Sequence, residues 1–593
     1  MKKKTTLLLF ILIAAAILST LFIFRKNDKI HFTRLRFIPP GGKPVENGPR
    51  PRPGFLRYSY SEGDTLHIEP GIKGETGMML SLSGTGDGVE KNRISLRIKR
   101  KKKVIYSKSR TFKKRQYNLQ VSERFDFHGS EIVEISFSGS GKVLVRDPLF
   151  YKIIDQGKRE YVFVIALDNL RYDRLGRTVN GVLLTPNLNR FKTDSVSFKN
   201  GYSQSSWTLP AFTSLFTGLY EFNHGMTRDG VLAAEIPMLS ESFAPGFITV
   251  SINGGAWLGP GITDQRGFDL FSLGSRTKDV DAAERFFDNS IRFLEKNEFP
   301  RLFMFMHTFS IHAPYFPPER FLYEIDKEPE YKFLKAFTHD KQFLKGVPDK
   351  ERQARELLYD ADVKAFDFYF GTFIDHLKKT GIYDRSLIVF LSDHGEEFYE
   401  HGGWFHGHSH YDEIIRIPIF IKFPGNIHAG SEVSDLAGII DVLPTLGDYL
   451  GLEMPVRIDG ISLMPMVDGR CFKERSLISS TTKCQIGDRS PKTVAIIRNG
   501  YKFLYNMDNV NRKGEKFVWQ AILDRGENEL YDLNTDPAEL INLSSHRPDL
   551  IRSFKKELID ILIKVNKNIR TNTSKKTAFD ETEKERLKTL GYL

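Results

Sequence analysis

Ser206-Trp207-Thr208-Leu209-Pro210-Ala211-Phe212-Thr213-Ser214-Leu215-Phe216-Thr217-Gly218 is the stretch on which the reading of this chain turns. It is a hydroxyl-rich turn running into a helix. Pro210 suits a helix's first turn, where a missing N–H costs nothing. A helix starting near Pro210 aims its free backbone amides at an anion placed before it. Two apolar strands frame the stretch. Tyr161 to Leu167 comes before it and ends in Asp168-Asn169; Ser386 to Ser392 comes after it and ends in Asp393-His394-Gly395. Two strands that each end in a carboxylate, with a hydroxyl between them, predict a metal site with an activated nucleophile. Thr-x-Pro taken alone reads as a plain helix N-cap.

Working outward, apolar strands alternate with amphipathic helices from Tyr161 to about Asp468. This is the signature of an α/β domain with a mostly parallel sheet flanked by helices, placed at 158–470. Catalytic residues of such sheets gather beyond the carboxyl ends of the strands, where Asp168, Asp393 and His394 stand. The spacing of Leu357, Leu358, Ala361, Ala365 and Phe368 predicts a core-facing helix from about Ala354 to Lys379. Upstream, residues 57–150 carry short alternating runs such as Ile94-Ser95-Leu96-Arg97-Ile98, the pattern of a β-sandwich-like domain. Residues 27–56, rich in Pro, Gly and basic side chains, read as a linker. Downstream, residues 471–593 form a small α+β subdomain and tail, with strands near Thr493 to Ile497, Lys502 to Tyr505 and Glu529 to Leu533 and a helix from about Pro548 to Val565.

The net charge of +12 favours anionic partners. No zinc-finger spacing or other nucleic-acid motif accompanies it, so nucleic acid is not among them. The basic cluster Lys99-Arg100-Lys101-Lys102-Lys103 reads either as a solvated hairpin or as a contact to anionic lipid or glycan. The chain begins Met1-Lys2-Lys3-Lys4, followed by an uncharged run from Thr5 to Phe24 and then Arg25-Lys26. Twenty apolar residues span a bilayer, and the basic start favours a cytoplasmic N-terminus. Residues 1–26 are thus a signal anchor or a cleaved signal peptide, with the catalytic domain outside the cytoplasm, periplasmic or extracellular. Cys471 and Cys484 either pair in an oxidising compartment or stay as two free thiols.

Thr208-Leu209-Pro210 with Ser214-Leu215-Phe216-Thr217-Gly218 resembles the sulfatase signature Cys/Ser-x-Pro-x-x-x-Ser-Leu-x-Thr-Gly. Further blocks stand in the family's order: Leu167 to Asp173, Gly267-Phe268-Asp269, His312-Ala313-Pro314-Tyr315, Ser392 to Glu396, His406-Gly407-His408, Pro418 to Pro424, Asp441 to Thr445, and Glu529 to Leu533 with Asp536-Pro537. The resemblance is to the sulfatase family of the alkaline phosphatase superfamily and covers about residues 160–593. It implies one divalent cation (calcium, manganese, magnesium or zinc) held by Asp168, Asn169, Asp393, His394 and Thr208. It implies Thr208 as nucleophile, with His312 and His406 as catalytic groups and His408 as an anion contact. His401 and His410 complete a dense histidine tract that also reads as a non-catalytic metal-binding segment. Asn253 and Gly254-Gly255 are pocket candidates; Lys199, Arg228 and Arg266 are either anion contacts or surface charges.

Three positions depart from the family pattern. Asn169 stands where sulfatases usually carry a second Asp, and Phe212 stands where their core motif carries Arg. Thr208 stands where they carry the Cys or Ser that becomes formylglycine, and threonine cannot become formylglycine. In this it resembles lipoteichoic acid synthase and the phosphoethanolamine transferases. The expected activity is hydrolysis of a sulfate or phosphate ester through covalent Thr208. The alternatives are phosphoryl-group transfer on envelope lipids or glycans, and a non-catalytic glycan- or lipid-binding relative.

Overall fold

The computed structural model describes the strands within residues 32–152 and most of residues 149–568. Within the latter, residues 227–231, 234, 255, 259–265, 274–281, 328–348, 471–473, 482–492 and 507–527 are outside the described set, as are 1–31 and 569–593. The expected signal anchor, Cys471, Cys484, Arg228 and the chain's last residues therefore lie outside the described residues. Among the described residues, no helix is long and apolar enough to cross a membrane.

The centre is an eight-stranded sheet. Its strands are β1 (Glu160–Leu167), β2 (Val196–Tyr202), β3 (Ile248–Asn253), β4 (Leu270–Leu273), β5 (Arg301–Thr308), β6 (Ser386–Ser392), β7 (Ile419–Lys422) and β8 (Glu432–Gly438). They lie in the order β4-β3-β5-β1-β6-β7-β2-β8. β7 runs antiparallel to both neighbours; the other pairings are parallel. Strands covered on both faces need apolar side chains at every position, and β1 and β6 are buried from Tyr161 to Leu167 and from Ser386 to Ser392. One apolar cluster fills each side of the sheet, with Phe163 and Ile165 on one side and Val162 and Val164 on the other. Helix α1 (Thr208–Thr217) packs on the second side, and the long α2 (Asp349–Lys379) on the first.

The N-terminal region is a pair of antiparallel sheets, as the alternation predicted. Strands Thr65–Ile68, Glu131–Ser138, Lys91–Arg100 and Lys103–Lys113 form one; the other is built around Lys73–Thr85 and Tyr117–His128. Tyr106 and Phe125, one from each sheet, meet edge to face at 4.8 Å. The expected linker is partly sheet. Within it, Phe32–Arg34 pairs with Leu149–Lys152, and Lys43–Pro44 pairs with Arg57–Tyr60. The C-terminal piece is a four-stranded antiparallel sheet (Leu477–Ser480, Thr493–Arg498, Tyr501–Asn506, Asn528–Asp532) covered by α3 (Pro548–Asn568). Phe554 of α3 stacks on Phe503 at 5.4 Å.

Candidate active site

The sheet's register builds the site. Leu167 of β1 lies opposite Ser392 of β6, so the next residues, Asp168 and Asp393, emerge side by side. The Ser392 hydroxyl ties the two ends together. It accepts the Leu170 N–H at 2.8 Å and lies 2.8 Å from the Leu167 carbonyl and 2.7 Å from that of His394. β2 brings the chain to the same edge. After Trp207 in extended conformation, α1 begins at Thr208 itself, two residues earlier than Pro210 suggested. All ten residues of α1 are buried, and Gly218 closes it at φ 66°, a left-handed value that suits glycine.

Thr208 Oγ1 lies 3.4 Å from Asp168 Oδ2 and 3.2 Å from His394 Nε2. His394 Nδ1 is 2.9 Å from the Gly395 carbonyl, so its proton sits there and Nε2 presents a lone pair. Asp393 Oδ1 accepts the backbone amides of Asn169 (3.1 Å) and His394 (2.8 Å). Ligand atoms of Asp168, Asp393 and His394 all lie within 4.8 Å of one another. Three buried oxygens of these strand ends, Asp168 Oδ1, Asn169 Oδ1 and Asp393 Oδ2, have no hydrogen-bond partner. Leaving one such acceptor unpaired costs about 1–3 kcal/mol, so three together need a compensating ligand. Carboxylate and amide oxygens with a single imidazole fit a hard or borderline divalent ion. The electrostatics agree. Burial, then the nearby Asp393 and Glu396, push the Asp168 carboxyl well above its usual range. Burial also raises Asp393, against the opposing pull of His394.

Asn169 sits at φ 74°, a conformation that Asn tolerates better than most residues. Its Nδ2 donates to Glu396 Oε2 at 2.6 Å, which leaves Oδ1 as the available ligand atom. Glu396 is a hub: its Oε2 also accepts Tyr315 Oη–H at 2.8 Å, and its Oε1 lies 2.9 Å from His406 Nδ1. Sequence reasoning assigned Glu396 no role, although it closes the quoted Ser392–Glu396 block. It also missed His307, whose Nε2 lies 3.3 Å from Asp168 Oδ2. Phe212, in place of the family's Arg, sets its ring edge against His307 at 4.7 Å. Tyr359 of α2 donates to the Asn169 carbonyl at 2.7 Å and accepts the Arg171 N–H at 3.0 Å, fixing the turn after β1.

The histidines divide. The His406 ring is centred 4.4 Å from that of His394 and 5.1 Å from that of His312. Burial, then His394 and His408, hold the His406 pKa well below its ordinary value. His312 Nδ1 lies 2.6 Å from the Ala313 carbonyl. His408 turns away: its Nε2 lies 2.7 Å from Glu397 Oε2. His401 lies 2.7 Å from Glu413 Oε1 and stacks on Tyr411 at 3.7 Å. His410 is held between the hydroxyls of Thr481 (3.0 Å) and Thr493 (2.8 Å). The dense tract is therefore not one metal-binding segment. Of the other candidates, exposed Lys199 pairs with Glu432 at 2.6 Å. Arg266 is buried, not a surface charge, and donates to the Ile236 carbonyl at 3.1 Å. Asn253, at the end of β3, donates to Ser251 Oγ at 2.9 Å.

The chain has relatives among known proteins. A sequence model of the family described as sulfatase matches residues 160–452, and one described as N-sulphoglucosamine sulphohydrolase, C-terminal, matches 399–567. An arylsulfatase of Clostridium perfringens is 24% identical over 478 residues, 68% of this chain and 93% of that protein. A choline-sulfatase of Rhizobium meliloti is 30% identical over 232 residues, which are 39% of this chain and 40% of the relative. Among solved structures, a phosphonate monoester hydrolase of Agrobacterium radiobacter superposes with TM-score 0.53 at 19% identity, covering 69% of this chain and 96% of that one. BT4656, solved with its substrate D-glucosamine-2-N,6-O-disulfate, superposes with TM-score 0.54 at 21% identity, covering 71% and 100%. Through residues 160–567, which the two sequence models together span, the chain belongs to the sulfatase family of ester hydrolases.

Proposed function

We propose that this protein hydrolyses an anionic ester outside the cytoplasm with Thr208 Oγ1 as the attacking atom, sulfate esters being the class its named relatives point to. One observation carries the reading: a fully buried hydroxyl at the first turn of α1 lies between Asp168 Oδ2 and His394 Nε2, beside three unpaired oxygens. Asp168, Asn169, Asp393 and His394 would hold the divalent ion. When bound, it supplies positive charge that lowers the hydroxyl's pKa and draws electron density from the ester. The chain's own groups supply the rest. Thr208 forms a bond to the central sulfur or phosphorus while the bond to the leaving oxygen breaks. The His312 Nε2 side faces away from its carbonyl anchor and is assigned the proton for that oxygen. His406, held neutral by burial, is assigned to take a proton from the water that releases Thr208. Export is supported by the basic start and the uncharged run from Thr5 to Phe24.

Thr208 itself favours a second reading, phosphate in place of sulfate. Formylglycine hydrate expels sulfate by elimination through its second hydroxyl, which threonine lacks. A phosphoryl group on Thr208 remains open to in-line displacement by water, or by an alcohol in a transferase.

The test is a side-by-side panel of p-nitrophenyl sulfate, phosphate and phosphodiester, with the metal quantified per chain. Wild type turns over at least one of them and Thr208→Ala turns over none. Thr208→Ser keeps part of the rate, since it retains the hydroxyl. Sulfate turned over fastest establishes the first reading; phosphate ahead by about tenfold, a barrier difference of roughly 1.4 kcal/mol, establishes the second. Full activity in Thr208→Ala rejects both.

A further inference from the structure

The N-terminal sandwich carries most of the chain's excess charge. Residues 57–152 hold nineteen Lys and Arg against eleven Asp and Glu, a surplus of eight out of +12 for the whole chain. Within it, the hairpin of Lys91–Arg100 and Lys103–Lys113 spans 23 residues with eleven Lys and Arg and no Asp or Glu. A hairpin that merely needs to stay solvated does not require one sign throughout. Its first strand alternates strictly. Ile94, Leu96 and Ile98 are buried in the sandwich, and Arg93, Ser95, Arg97 and Lys99 stand on the outer face. Arg93 and Arg97 are exposed, and four strand residues place them about 13 Å apart. Across the hairpin, Ser107 lies opposite Arg97 and Ser109 opposite Ser95, and the Ser95 and Ser109 hydroxyls are 2.9 Å apart. The neighbouring strand adds Ser136 and Ser138 to the same face. It also places a carboxylate on this face: Glu134, opposite Arg97 in register and paired with Lys99 at 2.5 Å. Exposed Lys101 and Lys103 extend the charge around the turn.

Guanidinium forks separated by hydroxyls along a straight strand match sulfate groups repeated along an extended chain, since Arg binds such planar oxyanion edges in pairs of hydrogen bonds. We propose that this face docks an extended sulfated polysaccharide, the polymer bearing the ester to be cleaved; only that last clause rests on the anionic-ester reading above. A bilayer is less well matched, because the exposed apolar pair Val104 and Ile105 lies at the hairpin's turn, beyond the Arg93–Arg97 ladder.

The test uses the full-length protein at about 0.15 M salt, where weak surface attraction is screened. Immobilised dextran sulfate is the probe, with uncharged dextran and phosphatidylglycerol vesicles as comparators. Dextran sulfate should be held and dextran should not. Arg93→Ser with Arg97→Ser should weaken binding at least about tenfold. Lys327→Ser with Lys379→Ser, removing equal charge from exposed sites elsewhere, should weaken it less than about twofold. Turnover of a p-nitrophenyl ester should be the same in both variants, and Arg97→Gln alone should reproduce part of the loss should the double variant misfold. Equal weakening by the two pairs, no weakening by Arg97→Gln, or tighter binding to vesicles than to dextran sulfate overturns the proposal. Absence of any small-ester turnover would strike the catalytic reading and leave the docking result standing.

Discussion

Two clusters of buried acids and histidines lie a few residues apart in this chain, and they are finished differently. At the ends of β1 and β6, three oxygens of Asp168, Asn169 and Asp393 have no hydrogen-bond partner, although Asp393 Oδ2 lies 3.4 Å from His394 Nε2. Beside them, toward the C-terminal sheet, Asp412 and Glu539 are met by the ammonium of fully buried Lys502 at 2.6 and 2.9 Å. Next to that pair, Glu397 accepts the amides of His401 and Gly403 and contacts His408, while Glu413 holds His401. Glu397, His401 and Glu413 also come together as a metal-sized group. The difference teaches that proximity of acids and imidazoles does not by itself make a site. Where the protein supplies its own cation and donors, the cluster is structural; where it leaves oxygens unpaired, it awaits something from outside.

The largest expected effect tests the open cluster. Asp393→Asn with His394→Ala should empty the metal site by elemental analysis and lower kcat/KM at least about a thousandfold, since bound-metal charge stabilisation is worth several kcal/mol. The circular dichroism spectrum should be unchanged. Metal content equal to wild type would erase the distinction between the clusters.

The closed cluster is broken from the other side. Lys502→Met leaves buried Glu539 and half-buried Asp412 without their cation, a loss of about 3 kcal/mol in denaturant unfolding. Metal per folded chain should stay as in wild type. A smaller effect is expected for Glu396→Gln, which disturbs the groups set against Asn169, Tyr315 and His406 without removing a ligand. Metal affinity by calorimetry should fall about 10- to 100-fold, the usual cost of a lost orienting partner.

The smallest effect is a pH dependence. Burial disfavours a charged His401, but the Glu413 carboxylate and the Glu539 carbonyl outweigh it and push the pKa up to about 9. A histidine raised in the folded state stabilises fully below its unfolded value of about 6.5 and loses that contribution as pH rises through the folded value. Unfolding free energy should therefore decline between about pH 6.5 and 9, by about 1 kcal/mol after solvent screening. His401→Gln should flatten the slope over that window.

Much of the open cluster was legible in the sequence because strand ends are. An apolar run that stops at Asp fixes where a carboxylate emerges, so Asp168 and Asp393 stood out on the residues themselves, while His394 as a ligand came with the family resemblance. Thr208 came from the flanking signature through Gly218, since Thr-x-Pro alone reads as an N-cap, and the helix starts two residues sooner than Pro210 suggested. The partition of neighbouring side chains was not legible. Glu396 and Glu397 are adjacent, and extended backbone sends adjacent side chains to opposite sides, so one joins the open cluster and the other the closed one. His406 and His408 flank Gly407, whose φ of 83° reverses the direction expected for residues two apart. A linear pattern of four histidines carries no record of such turns. The strand Phe32–Arg34 was hidden for a related reason: its partner, Leu149–Lys152, lies over a hundred residues away, and Pro-rich flanks mask a three-residue strand.

The loop carrying Thr208 is fastened from behind by the C-terminal sheet. Ser205 Oγ donates to the Ser480 carbonyl at 2.9 Å, and the Ser206 hydroxyl meets that of Thr481, both across 275 residues of chain. Synthesis proceeds at about 5–20 residues per second, so roughly 15–55 s separate the appearance of the nucleophile from that of its backing. During that interval, and in any chain cut short before Ser480, α1 lacks the contacts that set its first residue. A ribosome-bound or truncated chain should then be inert, and activity should arrive late in biogenesis, with the closing of the last sheet.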